Sequence, residues 1–200
     1  MSLYEIASRP FAHPRGWLGG LAARLMLATN GPLFDLAFEL LDLQGSERIL
    51  EVGFGPGELV RRLADRAPRG AVSGVDISEL MVRVASERNS ETILRGQVSL
   101  VQGSVDALPH EDASFDRVVT VNSLPFWPDP ARGLAEIARV TAPSGRLVVV
   151  VLDHGARDSV DVEARCAATS EAIAKAGFRE VSSVLRPMRP RPAMGIVATR

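Results

Sequence analysis

The sequence predicts a doubly wound α/β domain, with a sheet of five parallel strands plus a C-terminal antiparallel hairpin behind about 45 mostly helical residues. Three observations predict it. Short β-branched runs alternate with longer stretches of helical periodicity, the rhythm of right-handed βαβ units. Residues 147–152 form an unbroken apolar run, as expected of a central strand covered on both faces. After that fifth strand a helix leads into two strand-like stretches separated only by a loop, which reads as a hairpin.

The elements follow in order. Residues 17–41 are apolar-rich but interrupted by Arg24, Asp35 and Glu39. The longest uncharged stretch there falls well short of the roughly 20 apolar residues of a membrane span, and no signal-peptide cleavage pattern fits. This segment is expected to pack on the protein itself, so that residues 1–45 form a helical lid and residues 46–200 a ligand-binding domain, one structural domain overall. The first strand, 49–52, ends in a glycine cluster, and a helix over 58–67 places Leu59, Val60 and Leu63 at helical spacing. A second strand, 71–75, ends at Asp76 and precedes a helix over 79–89. Strands at 98–101 and 115–121 come next, then a helix over 131–140 with Leu134, Ile137 and Ala138 on one face. Beyond the fifth strand, a helix over 162–176 stops at Gly177, a C-terminal cap, and strands at 181–185 and 195–199 close the chain.

Composition narrows the function. The chain has 200 residues, 46% hydrophobic and 24% charged, which fits one well-buried globular domain and excludes a disordered chain. A net charge of −1 lacks the basic excess of a nucleic-acid binder. The arginines between 186 and 191 read as a solvated hairpin tip. A single cysteine, Cys166, cannot form an internal disulfide, and no Cys/His cluster has metal-ligand spacing. Cys166 is expected as a small buried hydrophobe in a reducing, cytoplasmic protein without a membrane partner.

The informative stretch is Glu51-Val52-Gly53-Phe54-Gly55-Pro56-Gly57-Glu58. It lies at the carboxyl end of the first strand, where ligands bind in open α/β sheets. Its spacing is G-x-G-x-G, not the G-x-G-x-x-G of dinucleotide sites. Glu51 and Glu58 flank it, and two carboxylates would repel a pyrophosphate but welcome a positive centre. Asp76, at the end of the second strand, is placed to accept from two ribose hydroxyls. The same acid serves NAD enzymes, so it marks a nucleoside without saying which.

With these residues in place, the stretch from about 47 to 145 resembles the class I S-adenosylmethionine-dependent methyltransferases, and within them the small-molecule and quinone-biosynthesis branch. Further matching motifs are Gly74-Val75-Asp76-Ile77-Ser78 with Met81, Gln102-Gly103-Ser104-Val105-Asp106-Ala107-Leu108-Pro109, Ser114-Phe115-Asp116, and the turn from Arg139 through Pro143 and Gly145 to Leu147. The resemblance implies a Rossmann-like fold and S-adenosylmethionine as cofactor. It places Gly53, Gly55 and Gly57 along the methionine part, Phe54 among the cofactor-binding residues, and Glu51 against the ammonium group. It puts Asp76 on the ribose, Ile77 against one face of the adenine, Met81 among the cofactor-binding residues, Ser104 and Val105 at the adenine edge, and Asn122 near the methionine carboxylate. One departure stands out: the family's commonest residue at position 104 is Asp, a stronger acceptor than Ser. Asp106 either compensates or points to solvent.

Methyl transfer from a sulfonium is an in-line displacement that needs little beyond positioning, with a general base only where the acceptor must lose a proton. His154, after the fifth strand, and His13, on the N-terminal segment, are the candidate bases, and His110 reads as a solvated loop residue. Phe126 and Trp127 follow the fourth strand, where they either meet an apolar or planar small-molecule acceptor or cover the next helix. Trp17, with Leu21 and Met26, either forms a lid over the same mouth, apolar enough for a dimer contact, or is the packed face of a helix. Asn122-Ser123-Leu124-Pro125 departs from the Asn-Pro-Pro-aromatic signature for base or amide nitrogens. Two alternatives remain at this point: a fold of this family that binds the cofactor without transferring methyl, and a nicotinamide-dependent oxidoreductase.

Overall fold

A computed structural model describes residues 30–152, 159–188 and 192–200. Its elements, in chain order, are α1 (Gly31–Leu41), β1 (Arg48–Val52), α2 (Glu58–Arg66), β2 (Ala71–Asp76), α3 (Glu79–Arg88), α4 (Ser90–Leu94), β3 (Val98–Gln102) and β4 (Phe115–Val121). After a 3-10 turn at Leu124–Phe126 follow α5 (Pro130–Val140), β5 (Thr141–Val151), α6 (Ser159–Lys175), β6 (Arg179–Arg186) and β7 (Ala193–Thr199). They build one seven-stranded sheet in the order β3-β2-β1-β4-β5-β7-β6.

Strands β1 to β5 run parallel, and β7 runs antiparallel to both β5 and β6. The expected hairpin is present, but its second strand inserts beside β5 and leaves its first strand at the edge. Residue chemistry explains the choice. β7 is almost wholly apolar and buried, as a strand between two neighbours must be, whereas β6 exposes Ser182 and Ser183.

Chain order reverses between β1 and β4, which opens a crevice at their carboxyl ends, the usual ligand position in such sheets. Two core clusters cover the two faces. One includes α1, whose Leu33, Leu36, Ala37 and Leu41 are fully buried against β4, β5 and β7. Gly195 lets that helix close in, since an added Cβ would lie 2.7 Å from Leu40 Cδ1. The guanidiniums of Arg62 and Arg66 lie 5.5 and 4.7 Å from the ring centres of Phe34 and Phe38, fastening α1 to α2. The expected lid over 1–45 therefore ends in a core helix.

Among the described residues no helix is long and apolar enough to cross a membrane, and no acid, His or Cys group could hold a metal ion. Cys166 is buried, as expected.

Candidate cofactor and acceptor site

The glycine loop between β1 and α2 turns through positive φ at Gly53 (74°), Gly55 (53°) and Gly57 (76°), conformations that side chains disfavour. A Cβ on Gly53 would collide with Ser123, and one on Gly57 would lie 2.6 Å from Ala85 Cβ. The loop is fastened to the β2–α3 unit beside it. Gly53 N–H donates to Val75 O (2.8 Å) and Gly55 N–H to Asp76 Oδ2 (2.8 Å). Arg88 Nε donates to Pro56 O (2.9 Å), and Asn89 Nδ2 to Gly57 O (3.1 Å). Sequence reasoning missed Arg88 and Asn89, because nothing in local spacing marks a grip from about 30 residues away.

Asp76 also accepts from Ser78 N–H (2.9 Å), so two backbone donors orient its carboxylate at the end of β2. Next to it Ile77 is 45% exposed, an unusual position for a large apolar side chain at a strand end. Met81, by contrast, is 2% exposed and lies in the core. Phe54 is also a core residue, its ring seated on Gly74, where an added Cβ would come within 2.6 Å.

Ser104 Oγ accepts from Asp106 N–H (3.2 Å), so this hydroxyl is engaged in its own turn. Val105 is buried in the second core cluster. Asp106 does not simply point to solvent: its Oδ1 is buried without a partner among the described residues. Asn122 takes a left-handed conformation (φ 55°). Its Nδ2 donates to Asn30 Oδ1 (3.0 Å), and its Oδ1 accepts from Leu152 N–H (2.8 Å), tying β4 to β5 and to the start of α1. Asn30, unmarked in the sequence, thereby becomes part of the mouth.

The two acids flanking the loop differ. Glu51 is 2% exposed. One of its oxygens takes the Val60 N–H in the first turn of α2, while Oε2 has no partner among the described residues. It lines a cavity of about 20 Å³ with Asn30, Phe34, Gly53, Phe54, Pro56, Glu58 and Val121. Burial, with Asp76 adding to it, pushes the Glu51 carboxyl well above the usual carboxylate range. Glu58 instead pairs with Arg61 (2.9 Å), Arg62 (3.0 Å) and Arg88 (3.2 Å), and the first two hold its carboxyl low against the effect of burial. The expectation that two free carboxylates repel a phosphate is therefore corrected. Arginines offset Glu58, and Glu51 resists carrying a charge unless a cation arrives.

Of the acceptor-side residues, Phe126 is 36% exposed beside the carboxyl end of β4. Trp127 turns away: its Nε1 donates to Ser123 Oγ (2.7 Å), and its ring covers Gly133 of α5. Of the two readings of Trp127, these contacts favour the ring that covers the next helix. His110 is not a solvated residue either. It is half-buried, edge-on to Phe115 at 4.9 Å, and burial followed by the Arg139 charge lowers its pKa. It also lies at the amino end of β4, opposite the site. His13, Trp17 and His154 lie outside the described residues. Arg186 stays partly exposed while pairing with Glu39 of α1, and Arg189 and Arg191 lie outside the described residues.

Comparison with known proteins decides the family. Residues 50–149 match the methyltransferase domain family. The chain belongs to the class I S-adenosylmethionine-dependent methyltransferases. It is 28% identical to an uncharacterized methyltransferase of Bacillus subtilis, YdaC, over 85% of this chain and 92% of that protein. It is 37% identical to a demethylmenaquinone methyltransferase of Thermus thermophilus, over 58% of this chain and 50% of that one. The chain thus matches about half the length of that quinone enzyme. A solved S-adenosylmethionine-dependent methyltransferase of Aquifex aeolicus shares the fold, with a TM-score of 0.71, 20% identity, and coverage of 88% of this chain and 97% of the other.

The residues of this methyltransferase suit its cofactor. A loop of three glycines at positive φ, an unpartnered buried carboxylate oxygen and an exposed apolar side chain beside Asp76 match a backbone-hugging chain, a cation and a planar base.

Proposed function

We propose that the protein transfers the methyl group of S-adenosylmethionine to a small apolar or planar acceptor. The observation that carries the cofactor half is the unpartnered Glu51 oxygen at the mouth of the glycine loop, beside the Asp76 carboxylate. In this reading Glu51 meets the ammonium group, Gly53, Gly55 and Gly57 cradle the methionine chain, and Asp76 accepts from the ribose hydroxyls. Ile77 covers one adenine face, Ser104 and Val105 meet its edge, and Asn122 borders the methionine carboxylate.

The exposed Phe126 ring supports the acceptor half, and the acceptor enters along that edge of β4. Demethylmenaquinone methyltransferase and 27-O-demethylrifamycin SV methyltransferase are among its relatives, which favours a small molecule over a macromolecule. When bound, the cofactor supplies a methyl group on a good, neutral leaving group. The protein's task is to hold the acceptor in line with it, worth roughly 7–11 kcal/mol of lost freedom paid in advance. His154 or His13 serves as general base where the acceptor carries a hydroxyl. A free, buried Cys166 suits a cytoplasmic enzyme.

The test is incubation with methyl-labelled cofactor and a panel of quinols, phenols and amines. Label is expected in a quinol or phenol. Tight cofactor binding with no labelled product from any acceptor would favour the reading in which the fold binds without transferring methyl.

A further inference from the structure

We propose that the pocket at Glu51 exchanges a proton for the ligand's cation: Glu51 is a neutral acid in the free protein, and arrival of the ammonium group drives its proton into solvent. The inference rests on the cofactor reading above but adds a charge state and a linkage to it. It begins with geometry. Glu51 Oε2 is fully enclosed and unbonded among the described residues, and the adjoining cavity has room for about one water-sized group. An ionised oxygen left unpaired in such a place is strongly disfavoured, so the group keeps its proton until something positive lies beside it.

Among the described residues the surroundings offer no internal cation to do that work. From β2, Asp76 contributes a second negative charge. From β4 come Val119 and Val121, both apolar, with the uncharged Asn122 beyond. From α1 come Asn30 and Phe34, while the exposed Asp35 faces Arg62 at 3.8 Å. From α2 comes Glu58, which engages Arg61, Arg62 and Arg88. Among the described residues the nearby guanidiniums are thus already held by carboxylates other than Glu51. The one stabilising contact to its charged form is the Val60 N–H at the start of α2.

The proton balance is simple. The acid loses its O–H proton to buffer, and the resulting carboxylate faces the ligand's ammonium, which keeps all of its own protons. Binding therefore strengthens with rising pH, by up to about tenfold per pH unit, and levels off once Glu51 is ionised in the free protein as well.

The experiment is calorimetric titration of the whole chain with adenosylhomocysteine between about pH 5.5 and 7, where the ligand's amine is fully charged. Each titration is repeated in two buffers of different ionisation enthalpy, which counts the protons released. Wild type is expected to release a substantial fraction of one proton, and Glu51→Gln none while still binding more weakly. Binding without proton release at any pH in that range overturns the exchange and leaves the cofactor reading intact. Equal release by Glu51→Gln also overturns it, because the proton then comes from another group. No binding by folded wild type overturns the cofactor reading and this inference with it.

Discussion

Glu51 and Glu58 stand on either side of one glycine loop, seven residues apart, and their environments drive them in opposite directions. Glu51 lies one residue before the end of β1, in a closed pocket next to a like charge, so ionisation is opposed. Glu58 begins α2 among three arginines, so ionisation is favoured. The same functional group is thus a ligand-responsive acid in one place and a structural ion-pair hub in the other. Sequence proximity to a binding loop does not decide which role a carboxylate takes. Desolvation and the sign of the nearest charge do.

The sharpest way to disturb this contrast is to remove the neighbour that opposes Glu51. Asp76→Ala is expected to weaken adenosylhomocysteine binding by about 2–4 kcal/mol, through loss of two hydrogen bonds to a charged acceptor. It should also shift proton release by Glu51 to lower pH, because the like charge is gone. Calorimetry reads both effects, and an unchanged dissociation constant would mean that Asp76 does not hold the ribose.

Glu51→Gln comes next and tests the buried side directly. Its folded pKa is raised, so the contribution of Glu51 to stability is complete below about pH 4.5 and is lost as pH rises through the folded value. The ligand-free variant should therefore match wild type near pH 4 and exceed it by about 1–3 kcal/mol near pH 8, followed by urea unfolding. A difference that shrinks as pH rises would reverse the assignment.

Glu58→Gln should do the opposite and less. The folded pKa of Glu58 is lowered, so its contribution is present above about pH 4.5 and fades as pH falls through the folded value. The partner arginines are partly exposed, so a loss of about 0.2–1 kcal/mol per pair at neutral pH is expected. The ligand dissociation constant should move less than about twofold on this account. A loss of binding as large as that of Glu51→Gln would erase the contrast. The smallest effect on the cofactor is expected from Phe126→Ala, which should raise the acceptor KM and leave adenosylhomocysteine affinity unchanged.

The glycine loop and the acid at the end of β2 were legible in the sequence. Glycines at 53, 55 and 57 mark a loop whose backbone takes positive φ, and Asp76 is marked by ending a strand. Such features are local, so spacing carries them. The lateral place of β7 was not legible, because chain order records succession along the sequence and not position across a sheet. The same holds for Arg88 and Asn89 gripping the loop, for Asn30 bonded to Asn122, and for the arginines gathered on Glu58. Trp127 shows another limit. An aromatic after a strand end suits a ligand or a neighbouring helix equally well, and only the bare surface at Gly133 decides for the helix.

The most direct test of the central claim is a crystal structure of the protein with adenosylhomocysteine. This account predicts the ligand's amino group at Glu51 Oε2, directly or through one water, with both ribose hydroxyls on Asp76. An amino group pointing away from Glu51, with that oxygen still unpartnered, would contradict it.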